Sequence, residues 1–254
     1  MPMTTIRRTL TGAMSLIALG LLSQTALAAS CDFESAKTGA PNPKQLHILL
    51  IGASGMIGSR ILNEATARGH CVLAASRHPE KTAAKPNVKA VKLDATTDKD
   101  AFIAEAKKAD VIVSATSPRG GGDPVKEAKA VGDTEIAVAK ATRKRLMVVG
   151  GAGSLNTPDG KPVVDTLPPQ YQGEARGMRG VLDSLKASDL DWTFFSPAMS
   201  IAPGKKTGKY QLGTTTVLYD AQKKSAISAE DFADALVNEL EMPAHRKSQM
   251  TIAY

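Results

Sequence analysis

Apolar and polar positions along the chain predict strands and helices in alternation. The strongest signal is residues 46–51, an almost wholly apolar run that is typical of a parallel strand buried on both faces. Helically spaced apolar residues follow it. Predicted strands are residues 46–51, 71–75, 88–93, 111–113, 146–149, 191–196 and 249–254, and predicted helices are residues 55–68, 99–108, 124–142, 173–187 and 229–241. This order predicts an α/β fold, a Rossmann-like doubly wound parallel sheet.

The domain organisation follows from the same pattern. Residues 45–254 are predicted to form a single domain, with a small C-terminal extension on the substrate side at 199–254. Within that extension, 209–212 and 215–219 are predicted to pair as a hairpin. Residues 156–172 hold four prolines and are predicted to be a long loop that walls the substrate site. Residues 29–44 are predicted to be a flexible, unstructured leader.

Three glycines follow the first predicted strand at a spacing of three. Gly52 allows the turn, Gly55 lets backbone N–H groups approach a pyrophosphate, and Gly58 lets the next helix pack on the strand. The spacing differs from G-x-G-x-x-G, and no Gly-Lys-Ser/Thr follows, which disfavours an ATP-binding P-loop. The alternative is a turn with no ligand. The predicted cofactor contacts in this stretch are Gly52, Ala53, Ser54, Gly55, Met56, Ile57 and Gly58.

The end of the second strand indicates which dinucleotide is bound. NAD-selective enzymes place Asp or Glu there for the ribose 2′-hydroxyl, whereas residues 76–79 here read Ser-Arg-His-Pro. Arg77 suits a 2′-phosphate, so NADPH is favoured over NADH; the alternative is an exposed arginine with no ligand. Asp94 and Ala95, after the third strand, are predicted to lie at the adenine.

The later strand ends supply the remaining candidate site residues. Ligands of open parallel sheets bind beyond the carboxyl ends of the strands. This rule predicts cofactor contacts at Ala115, Thr116, Gly151 and Pro197. Ser154 is the best polar candidate for catalysis after the fifth strand. Arg119 lies in a glycine-rich loop, where it either reaches the cofactor or an anionic substrate or is solvated.

Composition excludes several classes of function. Aromatic residues make up only 4% of the chain and the net charge of +7 is dispersed, which argues against nucleic-acid binding. The four histidines are scattered and Cys-x-x-Cys is absent, so no metal site is predicted. The sequence does not define the oligomeric state.

The N-terminus has the pattern of a secretory signal peptide at residues 1–28. Arg7 and Arg8 precede an apolar run at 13–22, and Ala-Leu-Ala at 26–28 forms a cleavage site. We therefore expect contact with the export machinery and a periplasmic or secreted location. The arginine pair leaves twin-arginine export open beside the general route. An uncleaved anchor and a lipidated Cys31 are the minor alternatives.

The chain has two cysteines, Cys31 and Cys71. Cys31 lies just past the cleavage site, and Cys71 begins the second predicted strand. In an oxidising compartment they could form a disulfide, or they could remain as one tail thiol and one buried thiol.

Several stretches together carry a family resemblance. They are Ile-Gly-Ala-Ser-Gly-Met-Ile-Gly-Ser at 51–59, Arg-His-Pro at 77–79, Val-Val-Gly-Gly-Ala-Gly-Ser at 148–154 and Asp-Trp-Thr-Phe-Phe-Ser-Pro-Ala at 191–198. The chain from about residue 45 resembles the NAD(P)H-binding, NmrA-like branch of the atypical short-chain dehydrogenases/reductases. Within it, the chain looks closest to the NADH-flavin reductases related to biliverdin reductase B.

The resemblance implies a reductase of conjugated acceptors. Mainstream members of the superfamily carry Tyr-x-x-x-Lys for proton exchange, but here Ala175 follows Tyr171 at that spacing. A flavin-like or quinone-like acceptor suits such a site, with flavin as substrate rather than prosthetic group and with solvent supplying the proton. Tyr171 would cover the ring or donate a hydrogen bond, or it only packs on the following helix. The alternative function is a non-catalytic NADP(H) sensor or scaffold; epimerase chemistry is disfavoured by Ala175.

Overall fold

The computed structural model describes residues 31–118 and 120–254; the predicted signal peptide and Arg119 lie outside the described residues. The strands, in chain order, are β1 His47–Ile51, β2 Cys71–Ser76, β3 Val88–Lys92, β4 Val111–Ser114, β5 Arg145–Val149, β6 Trp192–Ser196, β7 Ser200–Ala202, β8 Gln211–Gly213, β9 Ala226–Ser228 and β10 Ser248–Ala253. The helices are α1 Met56–Ala67, α2 Lys99–Lys107, α3 Pro124–Thr142, α4 Pro169–Lys186 and α5 Ala229–Glu241.

One large sheet organises the described chain. Its strand order is β3-β2-β1-β4-β5-β6-β10-β8, and all neighbours pair in parallel except β8, which is antiparallel to β10. The strand order reverses direction between β1 and β4, where such sheets open a crevice for a ligand. The predicted Rossmann-like α/β fold is confirmed.

Helices cover both faces of this sheet because its central strands are apolar on both faces. Successive residues of β1 alternate between two cores: Leu50 packs on the side of α1 and α5, and Leu49 on the side of α2, α3 and α4. All five residues of β1 are buried. The predicted double burial of this strand is confirmed, and the arrangement places the N-terminus of α1 at the crevice.

The predicted hairpin in the C-terminal extension is wrong. β8 pairs with β10 in the large sheet instead of with residues 215–219. The backbone of 215–217 is already bonded elsewhere, since Asn156 donates to the Thr215 carbonyl and Val217 donates to the Asn156 carbonyl. A small parallel pair, β7 with β9, also lies in the extension and was not predicted.

The predicted wall loop is shorter than expected. Within residues 156–172, Val163–Thr166 forms a 3₁₀ turn and α4 begins at Pro169 rather than at 173. A proline suits the first turn of a helix because the backbone N–H groups there have no acceptor within the helix, so the N–H that proline lacks is not needed. Tyr171 is therefore a residue of the first turn of α4.

The leader segment has no helix or strand over residues 31–45, but it contacts the domain at several points. Cys31 and Cys71 form a disulfide, with 5.6 Å between their Cα atoms. The Lys37 N–H donates to the Lys107 carbonyl, and the Phe33 ring meets the His47 ring edge-on. Of the two alternatives for the cysteines, the structure has the disulfide.

Candidate functional site

A tight turn joins β1 to α1 and shapes the floor of the site. Gly52 has φ +78°, a backbone conformation that favours glycine, and its N–H donates to the Ala75 carbonyl at 2.9 Å. A Cβ atom on Gly58 would lie 2.1 Å from the Gly52 oxygen, so only glycine permits this packing. Gly55 is the N-cap residue of α1, and among the described residues no side chain caps the helix. The first N–H groups of α1 can therefore bind an anion such as a pyrophosphate.

Two clefts meet above this turn. The first has a volume of about 450 Å³ and extends along the ends of β1, β2 and β3. The second has a volume of about 710 Å³ and extends toward β5, β6 and α4. Residues Gly55, Ala115, Thr116 and Ser117 line both clefts, so the clefts adjoin at the end of β4.

The first cleft brings together most of the predicted dinucleotide contacts. Its lining includes Gly52, Ser54, Gly55, Arg77, Asp94, Ala95, Ala115 and Thr116. Ala53 and Gly58 are buried in the turn beneath it and line neither cleft. Ala53 and Gly58 therefore support the cleft from below and do not form its surface.

Arg77 and Asp94 lie together at the far end of the first cleft. Arg77 is exposed directly after β2. Hydrogen bonds from the Thr96 side chain and backbone lower the pKa of the Asp94 carboxyl, and the positive charge of Arg77 acts in the same direction. Asp94 accepts from Thr96 Oγ1 at 2.6 Å, and the exposed Arg77 side chain lines the same end of the cleft.

The second cleft holds the other predicted contacts. Its lining includes Met56, Ile57, Gly151, Tyr171 and Pro197. Tyr171 is 58% exposed on the rim, and Ala175, one turn further along α4, also lines the cleft. With further apolar lining from Leu167, Met178 and Ile201, the cleft suits a flat, largely apolar molecule.

Ser154, one of the two predicted catalytic residues beside Tyr171, lies outside both cleft linings. It is buried, and its Oγ donates to the Gly151 carbonyl at 2.7 Å and lies 2.8 Å from Ser196 Oγ. Gln249 Nε2 donates to both hydroxyls. We therefore assign Ser154 to positioning the loop after β5 rather than to contact with a substrate. Gln249, a polar residue beside the apolar residues of β10, was a sequence signal for this network.

Glu135, on α3, is a residue that the sequence reasoning missed. Its side chain is buried, and Ser114 Oγ lies 2.5 Å from Glu135 Oε1 and 3.1 Å from Thr116 Oγ1. Burial raises the pKa of Glu135 to about 7, although the Ser114 hydrogen bond opposes the shift. The available signal was a carboxylate on the apolar stripe that includes Val131, Val138 and Ala139 of the same helix.

The fold and these clefts define a Rossmann-like protein that can bind a nicotinamide dinucleotide. The glycine turn, the uncapped start of α1 and the cation after β2 fit a phosphate-rich ligand of this kind. A family model described as NAD(P)H-binding matches residues 52–243, and the chain belongs to this family.

Solved structures agree with this assignment. The chain is 40% identical to a candidate exported protein from Burkholderia pseudomallei (TM-score 0.73; 82% of this chain, 100% of that chain). It is 36% identical to a candidate epimerase from Bacteroides thetaiotaomicron (TM-score 0.75; 82% and 97%). It is 30% identical to a candidate NADH-flavin reductase from Streptococcus pneumoniae (TM-score 0.72; 82% and 99%).

Proposed function

We propose that the protein is an exported, NADPH-dependent reductase that passes hydride to a flavin-like or quinone-like acceptor. The observation that carries the proposal is the second cleft, which opens from the first at Ala115 and Thr116 and has a mostly apolar lining. A dinucleotide that spans this junction would present its nicotinamide to a flat acceptor. The similarity to a candidate NADH-flavin reductase supports the same activity.

In this proposal the first cleft selects and holds the cofactor. The N–H groups at the start of α1 bind the pyrophosphate, and Asp94 with Ala95 borders the adenine end. Arg77 binds the 2′-phosphate, since the described residues lining this cleft place no Asp or Glu directly after β2. The bound cofactor supplies a hydride, and these residues supply its orientation.

The acceptor lies in the second cleft. Met56, Ile57 and Met178 provide apolar contact, and Tyr171 covers the open side from the rim of α4. Exclusion of water and a stacked geometry then account for most of the rate enhancement, because hydride transfer needs close approach rather than a nucleophile. Tyr171 has no lysine one turn along α4, since Ala175 lies there.

Export is the second part of the proposal. The signal-peptide pattern at 1–28 and the similarity to a candidate exported protein support it. The Cys31–Cys71 disulfide supports it as well, because disulfides persist mainly in oxidising compartments. In the described part of the chain, no helix is both long and apolar enough to cross a bilayer.

A non-catalytic NADP(H) sensor is the second candidate function. The observation in its favour is that neither predicted catalytic hydroxyl is enclosed at the site. Ser154 is bonded within its own network, and Tyr171 is mostly exposed. A sensor would use the same first cleft and need no acceptor in the second.

NADPH oxidation with added acceptors distinguishes the two functions. We expect the mature protein to oxidise NADPH when FMN or menadione is added. The reaction is measured under anaerobic conditions as the loss of the absorbance of the reduced nicotinamide. The matched control is Gly55→Glu, which places a carboxylate at the pyrophosphate position and should abolish both binding and turnover. Tight NADPH binding without turnover on either acceptor would overturn the reductase assignment in favour of the sensor.

A further inference from the structure

A buried carboxyl group is connected to the junction of the two clefts by two hydroxyl groups. Glu135 Oε1 lies 2.5 Å from Ser114 Oγ, and Ser114 Oγ lies 3.1 Å from Thr116 Oγ1. Thr116 lines both clefts. The three side chains thus form a continuous hydrogen-bonded path from the interior behind β4 to the place where the proposed nicotinamide and acceptor meet.

The described residues around Glu135 place no compensating cation at the cavity beside it. A cavity of about 20 Å³ beside it is lined by Thr116 and Ser117 after β4, Val148 of β5, and Met178 and Val181 of α4. The described lining includes no lysine, arginine or histidine. Glu127, the other carboxylate at this cavity, accepts hydrogen bonds from the Gly120 and Gly122 N–H groups. The cavity has room for about one water molecule, which offers Glu135 a route to exchange protons.

The protonation state of Glu135 sets the direction in which hydrogen bonds are donated along the path, because each hydroxyl has a single proton to donate. When Glu135 is ionised, Ser114 donates to it and Thr116 donates to Ser114. Thr116 can then only accept from a ligand. When Glu135 is protonated, it can donate to Ser114, Ser114 to Thr116, and the Thr116 proton is free to reach a ligand in the cleft.

We propose that Glu135 supplies, through Ser114 and Thr116, the proton that the acceptor takes up as it is reduced. This inference rests on the proposed reductase function, and it replaces solvent as the immediate proton source. Thr116 is the residue that contacts the acceptor, and Glu135 is a positioning residue that acts through the two hydroxyls.

The step balances in atoms and electrons. The acceptor gains a hydride from the nicotinamide, which is oxidised by two electrons, and its heteroatom gains the Thr116 hydroxyl proton. Thr116 takes the Ser114 proton as its own leaves, and Ser114 takes the proton of the Glu135 carboxyl. Glu135 is left as a carboxylate, and it regains a proton from water through the adjoining cavity.

The pH profile of kcat with NADPH and menadione tests the proposal. In the wild type, we expect kcat to fall as pH rises through the Glu135 pKa of about 7. Glu135→Gln should lower kcat by about tenfold or more below that pH and flatten the profile, while NADPH affinity stays within about twofold. Ser114→Ala should act in the same way because it breaks the path while leaving the carboxyl in place.

Thr116 gives the matched pair of variants. Thr116→Ser keeps the hydroxyl and should retain the wild-type pH profile, whereas Thr116→Val keeps the shape and should lose it. An infrared titration adds a readout that needs no turnover: a protonated-carboxyl band should disappear as pH rises through the pKa of Glu135 and be absent from Glu135→Gln.

Two results would overturn the proposal and are distinguishable. A wild type that turns over, together with an unchanged pH profile in Glu135→Gln, would remove Glu135 as the proton source and leave the reductase function intact. A wild type that oxidises no NADPH with FMN or menadione would remove the reductase function and, with it, this proton path.

Discussion

Gly58 lies directly against the carbonyl group of Gly52, so that a Cβ atom on Gly58 would be 2.1 Å from the Gly52 oxygen. Gly58→Ala should therefore force α1 away from β1 and lower the free energy of unfolding by about 1 to 3 kcal/mol, the usual cost of overpacking. The variant should also lose much of its NADPH affinity, because the start of α1 would be displaced from the cofactor site. Urea unfolding and a fluorescence titration with NADPH measure the two effects.

Gly55 provides the control for that substitution. A Cβ atom there meets the Gly52 oxygen at 3.3 Å, and Gly55 already has an N-cap conformation that serine favours. Gly55→Ser should have a free energy of unfolding within about 0.5 kcal/mol of the wild-type value. Equal stability losses at both positions would show that the close contact at Gly58 is not what limits substitution.

The preference for NADPH over NADH should depend on Arg77. A guanidinium that binds a 2′-phosphate contributes roughly 1.5 to 3 kcal/mol, which corresponds to a preference of about 10 to 150-fold in dissociation constant. Arg77→Ala should remove most of that factor for NADPH and leave NADH binding almost unchanged. Fluorescence titrations with both nucleotides provide the measurement.

Lys81→Ala is the comparison for Arg77, since Lys81 is a nearby exposed cation that does not line the first cleft. It should change NADPH and NADH affinities equally and slightly. If the wild type binds the two nucleotides with equal affinity, the cofactor proposal reverts to NAD(P)H without preference.

The Cys31–Cys71 disulfide should contribute measurably to stability. It joins two residues that are 40 positions apart in the sequence, and it restricts the conformations of the unfolded chain. Cys31→Ala should therefore lower the free energy of unfolding by about 2 to 4 kcal/mol. NADPH affinity should not change, because Cys71 begins β2 at the edge of the sheet opposite the clefts.

Reduction provides an independent check on the disulfide. A reductant should bring the wild type to the stability of Cys31→Ala and leave the variant unaffected. Glu34→Gln, which removes the ion pair between Glu34 and Lys89 in the same segment, should cost less than about 0.5 kcal/mol because Glu34 is largely exposed. A reductant effect of that small size would place the leader outside the cooperative fold.

Burial of Glu135 should make the stability of the protein depend on pH. Its pKa is raised in the fold from the ordinary value of 4.5 to about 7, so the unfolded chain releases this proton at lower pH than the folded one. Stability from this group is present below about pH 4.5 and is lost as pH rises to about 7. Glu135→Gln should remove that loss and gain up to roughly 3 kcal/mol above neutral pH.

Thermal unfolding across this pH range measures the difference between Glu135→Gln and the wild type. The two proteins should converge at acidic pH, where the carboxyl is protonated in both the folded and unfolded states. Asp133→Asn, on the exposed face of the same helix, should change stability by less than about 0.5 kcal/mol at any pH. A constant offset for Glu135→Gln would indicate a packing effect instead.

The sheet and the first cleft could be predicted because their signals are local. Apolar runs such as β1 and the glycines at 52 and 58 specify a strand, a turn and a helix with little reference to the rest of the chain. The partner of β8 could not be predicted in this way. Its neighbour β10 lies about 40 residues away, whereas the sequence predicted a local hairpin with residues 215–219.

The polar interior of the site was equally hidden from the sequence. Ser154 looked catalytic from its place after β5, yet its partners Ser196 and Gln249 come from β6 and β10. Glu135 pairs with a serine 21 positions earlier on a strand. Such contacts depend on how α3 packs against the sheet, and the spacing of apolar residues within a single segment does not predict them.

The position of Cys71 also fixes where the chain leaves the domain. Cys31 is bound to the start of β2, so its point of attachment lies at the amino ends of the parallel strands, opposite the two clefts. An affinity tag, a surface linker or a retained anchor attached there would hold the molecule with its ligand entrance facing outward. The N-terminus is thus a suitable handle for immobilising the protein without obstructing diffusion of cofactor and acceptor.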